Sequence, residues 1–291
     1  MIYVKSPLRI TLGGGGSDLP WFYKKHGGYV LTTSIDKFIH LFGIRRPYDN
    51  KIWLSYSKNE VCQNVKDIKN EIIREAFNYF KIKNSLEIHT VSDVPGNSGL
   101  GSSGAFISTI LKFCSEFKSK ELSKYNLAKL GCLLEMVKLS KNSGLQDQFI
   151  SVYGGIIEMI ISKNGEVKVK KLKLKNRIKK KFLNSSVTFY TNLSRPSELI
   201  LSSQKKKYLS KNENEKFMHD LVKIGKEIKN KLLLGDIKTV GHLFNEHWQI
   251  KKNLSNNMSN SFINKLYNYG IKSGAYGGKI ICAGGGGYIM F

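Results

Sequence analysis

Three runs of small residues carry most of the chemical information in this 291-residue sequence: Gly13–Gly16, Pro95–Ser103 and Gly284–Gly287. Glycines in such numbers let backbone N–H groups converge on a ligand with no Cβ in the way. The middle run reads P-G-N-S-G-L-G-S-S-G-A and lies between a predicted strand and a predicted helix. Unpaired N–H groups at the start of that helix would face whatever the loop encloses, which favours an anion. Hydroxyls at Ser98, Ser102 and Ser103 complete a cradle suited to a triphosphate and Mg²⁺. No Lys-Ser/Thr follows the glycines, so the run is not a Walker loop, and G-x-G-x-x-G does not occur, so it is not a dinucleotide fingerprint.

The elements that must position these runs follow from periodicity. Residues 2–12 and 29–56 alternate as strands, rich in Ile, Val, Thr, Phe and Trp. Helical spacing covers Asp67 to Phe80, and Leu86 to Val91 returns to strand. The small-residue loop then runs from Asp93 to Gly101 into an apolar helix, Ser102 to Phe117. A second helix spans about Lys124 to Leu139, followed by a loop holding Gln146-Asp147-Gln148 and by strands near 156–161 and 166–174. The second half opens with a strand at 186–192. It continues with helices at about 197–206, 213–233, 236–252 and 260–272, and ends with strands near 278–283 and 287–291. Strands, then helices, then strands again argue for α+β, not a doubly wound parallel sheet. The length suits two domains sharing an interface, and the composition shift near 175–185 places the boundary at residues 178/179.

Composition bounds the remaining classes. The formal charge of +25 raises nucleic-acid binding as a rival, but arginine occurs only six times and base readout favours arginine. The one dense basic run, Lys168 to Lys181, alternates at first like a strand with one wet face and then reads as a loop. The charge is read as a solvated lysine face that also attracts anionic ligands. No run of 18 apolar residues occurs, the first residues do not resemble a signal peptide, and Cys62, Cys114, Cys132 and Cys282 are scattered. These features lead to the expectation of a cytoplasmic protein with reduced thiols, no membrane partner and no nucleic acid. The six histidines lack metal spacing, and His242 and His247, five apart on one helix, read as structural.

At this point the residues resemble a known family, the GHMP kinases. Ser6-Pro7-Leu8-Arg9-Ile10 with Gly13 to Asp18 is similar to the family's first motif. Pro95 to Ala105 is similar to its phosphate loop, P-x-x-x-G-L-G-S-S-x-A, and Gly274–Lys279 with Ala283–Gly287 to its third motif. All three occur in the family's order. Within the family the likeness is greatest to the D-glycero-D-manno-heptose 7-phosphate kinases, through G-G-G-S-D, the stretch 28–37 and Trp248 to Ser259. Gly104 departs from the serine or alanine common at its place, and the sequence ends at Phe291, directly after the third motif.

The resemblance implies a two-domain α+β fold, with an N-terminal domain of the ribosomal S5 domain 2-like type and a ferredoxin-like C-terminal domain. It implies ATP and Mg²⁺ as cofactors and transfer of the γ-phosphoryl to the anomeric hydroxyl of a heptose 7-phosphate, for surface-polysaccharide precursors. Asp147 would meet the acceptor hydroxyl, as general base or electrostatic orienter, and Arg9 would pair with it. Pro95, Gly96, Ser98, Gly99, Leu100, Gly101, Ser102 and Ser103 would bind ATP, with Ser103 and Glu135 on the metal. Gly14, Gly15, Gly16, Ser17, Asp18, Gly285 and Gly286 would hold the sugar, and Arg195, with Lys279 as a further candidate, its phosphate. The protein would act as a monomer or homodimer. Another sugar of the fucose or galactose type, an isoprenoid alcohol, and a non-catalytic sugar or nucleotide sensor are the alternatives.

Overall fold

The computed structural model describes residues 1–194, 197–210, 213–255, 258–281 and 283–291. Its organising element is an 18-residue strand, β2 (Gly28–Arg45), which serves three neighbours. β1 (Ile2–Gly13) runs antiparallel along it, its first half (Gly28 to Thr33) pairs with β6 (Ile156–Ile161), and its second half (Ile39 to Arg45) pairs with β5 (Leu86–Ser92). With β3 (Ile52–Ser55), β4 (Asn59–Cys62) and β7 (Val167–Leu172) the sheet has seven strands, in the order β4-β3-β5-β2-β6-β7 with β1 on β2. Alternation along β2 splits its side chains between faces, as the strand period requires. Tyr29 and Leu31 enter one apolar cluster and Val30 another.

Two register shifts interrupt the β1–β2 ladder, between Pro7 and Arg9 and between Thr11 and Gly13. Proline has no N–H to give the ladder, so the first shift falls where pairing is already broken. Such irregularities re-aim side chains. Here they bracket Arg9, whose backbone N–H leaves the ladder for the Leu100 carbonyl at 2.9 Å.

On one face lie α2 (Glu71–Phe80), α3 (Ser102–Phe117), α4 (Lys124–Leu133) and α5 (Gln146–Tyr153). Asn70 and Ser123 start α2 and α4 by accepting the N–H groups of Ile73 and Asn126, as N-caps do. α3 is apolar around most of its circumference, and Ile107, Ile110, Leu111, Phe113 and Cys114 are completely buried. It is the central helix of this layer, and its bounds are those the sequence predicts.

The second half supplies α6 (Asn176–Asn184), β8 (Thr188–Tyr190), α7 (Ser197–Ser210), α8 (Glu213–Leu234), α9 (Ile237–Lys252), α10 (Ser261–Lys272), β9 (Lys279–Ile280) and β10 (Tyr288–Met290). β8, β10 and β9 form an antiparallel sheet of three. Gly235, at φ 75°, ends α8 in the left-handed conformation, and the Asp236 carboxylate caps α9 through the Thr239 N–H. α8 and α9 cover the other face of the large sheet, where Ile224, Ile228, Leu232 and Phe244 meet Leu8, Ile10, Leu12 and Leu31 in one cluster. No helix among the described residues is long and apolar enough to cross a membrane.

Three local expectations are corrected, and one short helix was not expected. Residues 175–184 are not a loop but the helix α6, because Phe182 finds the shared apolar cluster and Ile178, four residues before it, packs against Gly235 at the end of α8. Gln146-Asp147-Gln148 is not in a loop but forms the first turn of α5. The helix predicted to run to Leu139 leaves α geometry at Leu134 for a single π-helical turn, Leu134–Lys138. A short helix, α1 (Pro20–His26), follows the first glycine run, too short to show a period in the sequence. Of the cysteines, Cys62, Cys114 and Cys132 are free and buried, and Cys282 lies outside the described residues.

α8 approaches the first glycine run backbone to backbone. A Cβ on Gly225 would lie 2.8 Å from the Gly14 nitrogen, and one on Gly13 would lie 2.5 Å from the Gly225 Cα. Alanine in a helix interior ordinarily stabilises by roughly 0.5–1 kcal/mol over glycine, whereas overpacking costs about 1–3 kcal/mol. The clash is with backbone, so overpacking should win: Gly225→Ala is expected to lower the urea midpoint at an unchanged slope. A raised midpoint would show that α8 and the glycine run are not in contact.

Candidate active site

The loop between β5 and α3 is held open by left-handed residues, Asn97 (φ 56°), Gly99 (φ 83°) and Gly101 (φ 75°). Gly101 must be glycine for a second reason: a Cβ there would sit 3.1 Å from Cγ and 3.2 Å from Cζ of Arg9. The loop therefore folds directly over the arginine. Gly99, Gly101, Ser102 and Ser103 line a recess of 80 Å³ together with Arg9 and Asp147. Of the other residues expected to bind ATP, Leu100 is core and Ser98 is fully buried with its hydroxyl unpartnered among the described residues. Pro95 and Gly96 are exposed and line neither the recess nor the larger cleft beside it.

Arg9 is 2 % exposed and grips Asp147 in a fork, Nε to Oδ1 at 2.8 Å and Nη2 to Oδ2 at 3.0 Å. Its third nitrogen, Nη1, donates to the Gly99 carbonyl at 2.6 Å. Paired, charge-assisted bonds of this kind fix orientation as well as energy. Asp147 enters from the first turn of α5, where the helix dipole favours a carboxylate. Its side chain keeps 20 % exposure, toward the recess and the cleft that it lines.

Glu135 projects from the π-helical turn, the kind of inserted residue that recurs at functional sites. Ser103 Oγ donates to Oε1 at 2.6 Å, and Ser143 Oγ and Gln148 Nε2 donate to Oε2 at 2.8 and 2.5 Å. Burial raises the proton affinity of this carboxyl above its ordinary value, with the Asp147 charge adding to the effect and the Ser103, Ser143 and Gln148 bonds opposing it. One carboxylate and one hydroxyl converging beside a phosphate loop is a donor set that fits Mg²⁺, which takes one or two carboxylates alongside phosphate oxygens and water.

The first glycine run builds the larger cleft, of 540 Å³. Gly15, Gly16 and Asp18 line it, whereas Gly14 and Ser17 do not. The Ser17 hydroxyl is turned inward between the carbonyls of Gly14 and Tyr29. Asp18 accepts the N–H of Gly16 at 3.1 Å and that of Gln146 at 3.1 Å, and the Gln146 side-chain amide at 3.3 Å. Thr11 in turn holds the amide oxygen of Gln146 at 2.5 Å. Burial, and then the nearby charge of Asp147, raise the proton affinity of Asp18.

The third run closes the recess with Gly284 and Gly286. A Cβ on Gly287 would run into the Ser98 carbonyl, so the run packs against the phosphate loop. Gly285 faces neither cavity, and its N–H is bound to the Met258 carbonyl at 2.8 Å. Lys279 does line the cleft, whereas Arg195 lies outside the described residues. His247, read from sequence as structural, belongs to the cleft wall with Lys251 and Gln204, while His242 lies beside Tyr276, with ring centroids 6.1 Å apart. Thr11, Ser143 and Gln146 were not anticipated. Gln146 and Gln148 flank Asp147 in the sequence, which was a usable signal, whereas Ser143 had none.

With this geometry in hand, comparison with known proteins is specific. Residues 59–155 match the GHMP kinases N terminal domain. The chain is 32% identical, over its whole length and 88% of the relative's, to a D-glycero-alpha-D-manno-heptose 7-phosphate kinase of Campylobacter jejuni. Its fold superposes with a TM-score of 0.82 on a D-glycero-D-manno-heptose 1-phosphate kinase from Bacteroides thetaiotaomicron, at 24% identity, covering all of this chain and 88% of that one. With Lactococcus lactis galactokinase, solved with galactose, the TM-score is 0.78 at 18% identity, over 99% and 84% of the two chains. The mixed α/β architecture is that of these kinases, and the chain belongs to the GHMP kinase family of ATP-dependent phosphotransferases.

Proposed function

We propose that the protein transfers the γ-phosphoryl of ATP to the anomeric hydroxyl of D-glycero-D-manno-heptose 7-phosphate, giving the 1,7-bisphosphate and ADP in the cytoplasm. The observation that carries this reading is the Arg9–Asp147 fork tied to the Gly99 carbonyl, which holds a partly exposed carboxylate beside the glycine loop and so supports a role for it toward an acceptor there. The choice of heptose 7-phosphate draws on the name of the 32%-identical relative. We further propose a division into two domains at residues 178/179, with the cleft between them.

Phosphoryl transfer asks a protein mainly to position the groups and neutralise their charge. N–H groups at the start of α3 and the glycine loop receive the β- and γ-phosphates. Ser103 and Glu135 would hold Mg²⁺, which when bound neutralises charge on the phosphate oxygens. Asp18 and the Gly15-Gly16 backbone hold sugar hydroxyls, and Gln146 keeps Asp18 in place. Asp147 accepts the proton of the anomeric O–H as that oxygen forms its bond to phosphorus and the bond from phosphorus to the ADP oxygen breaks. Arg9 keeps the carboxylate aimed throughout.

The test is ADP release with Mg·ATP over a panel of heptose 7-phosphate, other sugar phosphates, free fucose, galactose and mevalonate. Turnover confined to the heptose 7-phosphate is expected. Turnover on a free sugar alone would overturn the acceptor assignment, and silence across the panel with ATP still bound would overturn the catalytic one. Asp147→Asn should lower kcat by about 10²–10⁴-fold, the range of general-base catalysis, while ATP affinity stays near wild type.

Gly104 makes a separate prediction. A Cβ there would collide with Cβ of Asp147 and lie 3.0 Å from its carbonyl carbon, so α3 and α5 touch through the missing side chain. Gly104→Ala should displace Asp147 by a few tenths of an ångström and cost on the order of 10-fold in kcat at unchanged ATP affinity, given the sensitivity of transfer to alignment. An unaffected kcat would remove this contact from the mechanism.

Glu135 predicts a pH dependence. Its proton affinity is raised, so on acidification it loses its charge sooner than an exposed glutamate would. Mg²⁺ affinity, titrated at saturating ADP with a fluorescent nucleotide, should be full above that raised value and lost as pH falls through it. In Glu135→Gln the affinity should be weak and nearly flat with pH, and an unaltered profile would exclude Glu135 as a ligand.

A further inference from the structure

One wall of the 540 Å³ cleft is built from side chains that the phosphoryl-transfer chemistry does not use. α9 places His247 and Lys251 four residues apart, on one face, and Lys279 opens β9 beside them. Their exposures are 1 %, 7 % and 2 %. Both ring nitrogens of His247 are buried with no hydrogen-bond partner among the described residues. Lys279 gives one hydrogen bond, to the Leu12 carbonyl at 2.9 Å, and its ammonium stands 5.5 Å from the centre of the Phe244 ring.

Such a wall is costly as it stands. A buried polar group without a partner is destabilising, and a buried charge more so. Among the described residues no carboxylate lies within ion-pair distance of Lys279 or His247. Burial, and then the charges of Lys251 and Arg9, push the Lys279 ammonium well below its ordinary value. Burial followed by Lys279 and Lys251 does the same to the His247 imidazole. The charges that push the two groups down are the positive ones of Lys251, Arg9 and Lys279 itself, and the imidazole still has an N–H to give. A ligand with several negative oxygens resolves both problems at once.

Location separates the two phosphates available. The recess under the glycine loop, where the ATP phosphates belong, is lined by Gly99, Gly101 and Ser103 and by none of these three side chains. They line only the larger cleft, which reaches from Ser103 and Glu135 to Gly15, Gly16 and Asp18, and the Lys279 tie to the Leu12 carbonyl sets the wall beside the first glycine run, the sugar side. We propose that His247, Lys251 and Lys279 form a subsite for a phosphate monoester carried by the acceptor. It rests on the kinase reading above and specifies how a phosphorylated sugar is told from a free one. The same residues select against uncharged acceptors, because a free sugar would give the His247 imidazole and the Lys279 ammonium no negative oxygen to bind.

The experiment uses His247→Gln and Lys251→Met, with Lys279→Met as a third variant whose tie to Leu12 puts its folding at risk. Urea midpoints of all three are measured first, and only folded variants are compared. With ADP and Mg²⁺ saturating, so that the nucleotide site is filled, inorganic phosphate should raise the Tm of the wild type and lose that effect in His247→Gln and Lys251→Met. In turnover, each variant should raise KM for the sugar phosphate at least 10-fold while KM for ATP changes less than about 3-fold. An equal phosphate effect in wild type and variants, or a rise in KM for ATP instead, would overturn the subsite. If no sugar phosphate is turned over at all, the phosphate titration still decides the subsite, so its failure and that of the kinase reading are distinguishable.

Discussion

The arrangement of this protein turns on one buried arginine. Arg9 uses two nitrogens on Asp147 and a third on the Gly99 carbonyl, and its own backbone N–H binds the next carbonyl, Leu100. Three segments distant in sequence, β1, the glycine loop and the first turn of α5, are thereby fixed to one group. A guanidinium in that position is compensated only while all of its partners are in place, since a buried charge that loses its partner is strongly destabilising. The rigidity that catalysis needs and the stability of the local fold are the same set of bonds.

Around this centre the elements approach through missing side chains. Gly101 admits the arginine stem, Gly104 lets α3 touch α5 at Asp147, Gly225 lets α8 rest on the first glycine run, and Gly287 lets the third run reach the phosphate loop. These contacts carry little apolar area and much geometry. The apolar area lies elsewhere, in clusters such as the one in which α8 and α9 share β1 and β2.

The residues that gather around the cleft were easier to pick out of the sequence than several of the local elements that carry them. Glycine runs, a serine-rich helix start and an aspartate flanked by glutamines are local patterns, and they survive without tertiary context. α3 was legible to the residue because its apolar run is long and its first turn follows a glycine. The failures were tertiary. α6 has a mean composition too basic to suggest packing, and only the apolar cluster that takes Phe182, with Ile178 set against Gly235, turns it into a helix. The π-helical turn adds one residue to a helix that otherwise keeps its period, and it shows only when Glu135 is seen to point at Ser103. His247 shares its helix with the fully buried Trp248, so it resembled a core histidine until the cleft beside it was visible.

The large sheet ends at β7, which pairs only with β6 in the strand order and so presents an unpaired row of backbone donors and acceptors. Lys168, Lys170 and Lys171 stand exposed along it. A strand from another molecule that tried to extend the sheet there would have to bring its own chain against three ammonium groups, which is how many proteins keep an open sheet from recruiting copies of itself. Part of the basic character that first suggested a polyanion partner thus lies along an open sheet edge, where ammonium groups disfavour edge-to-edge pairing.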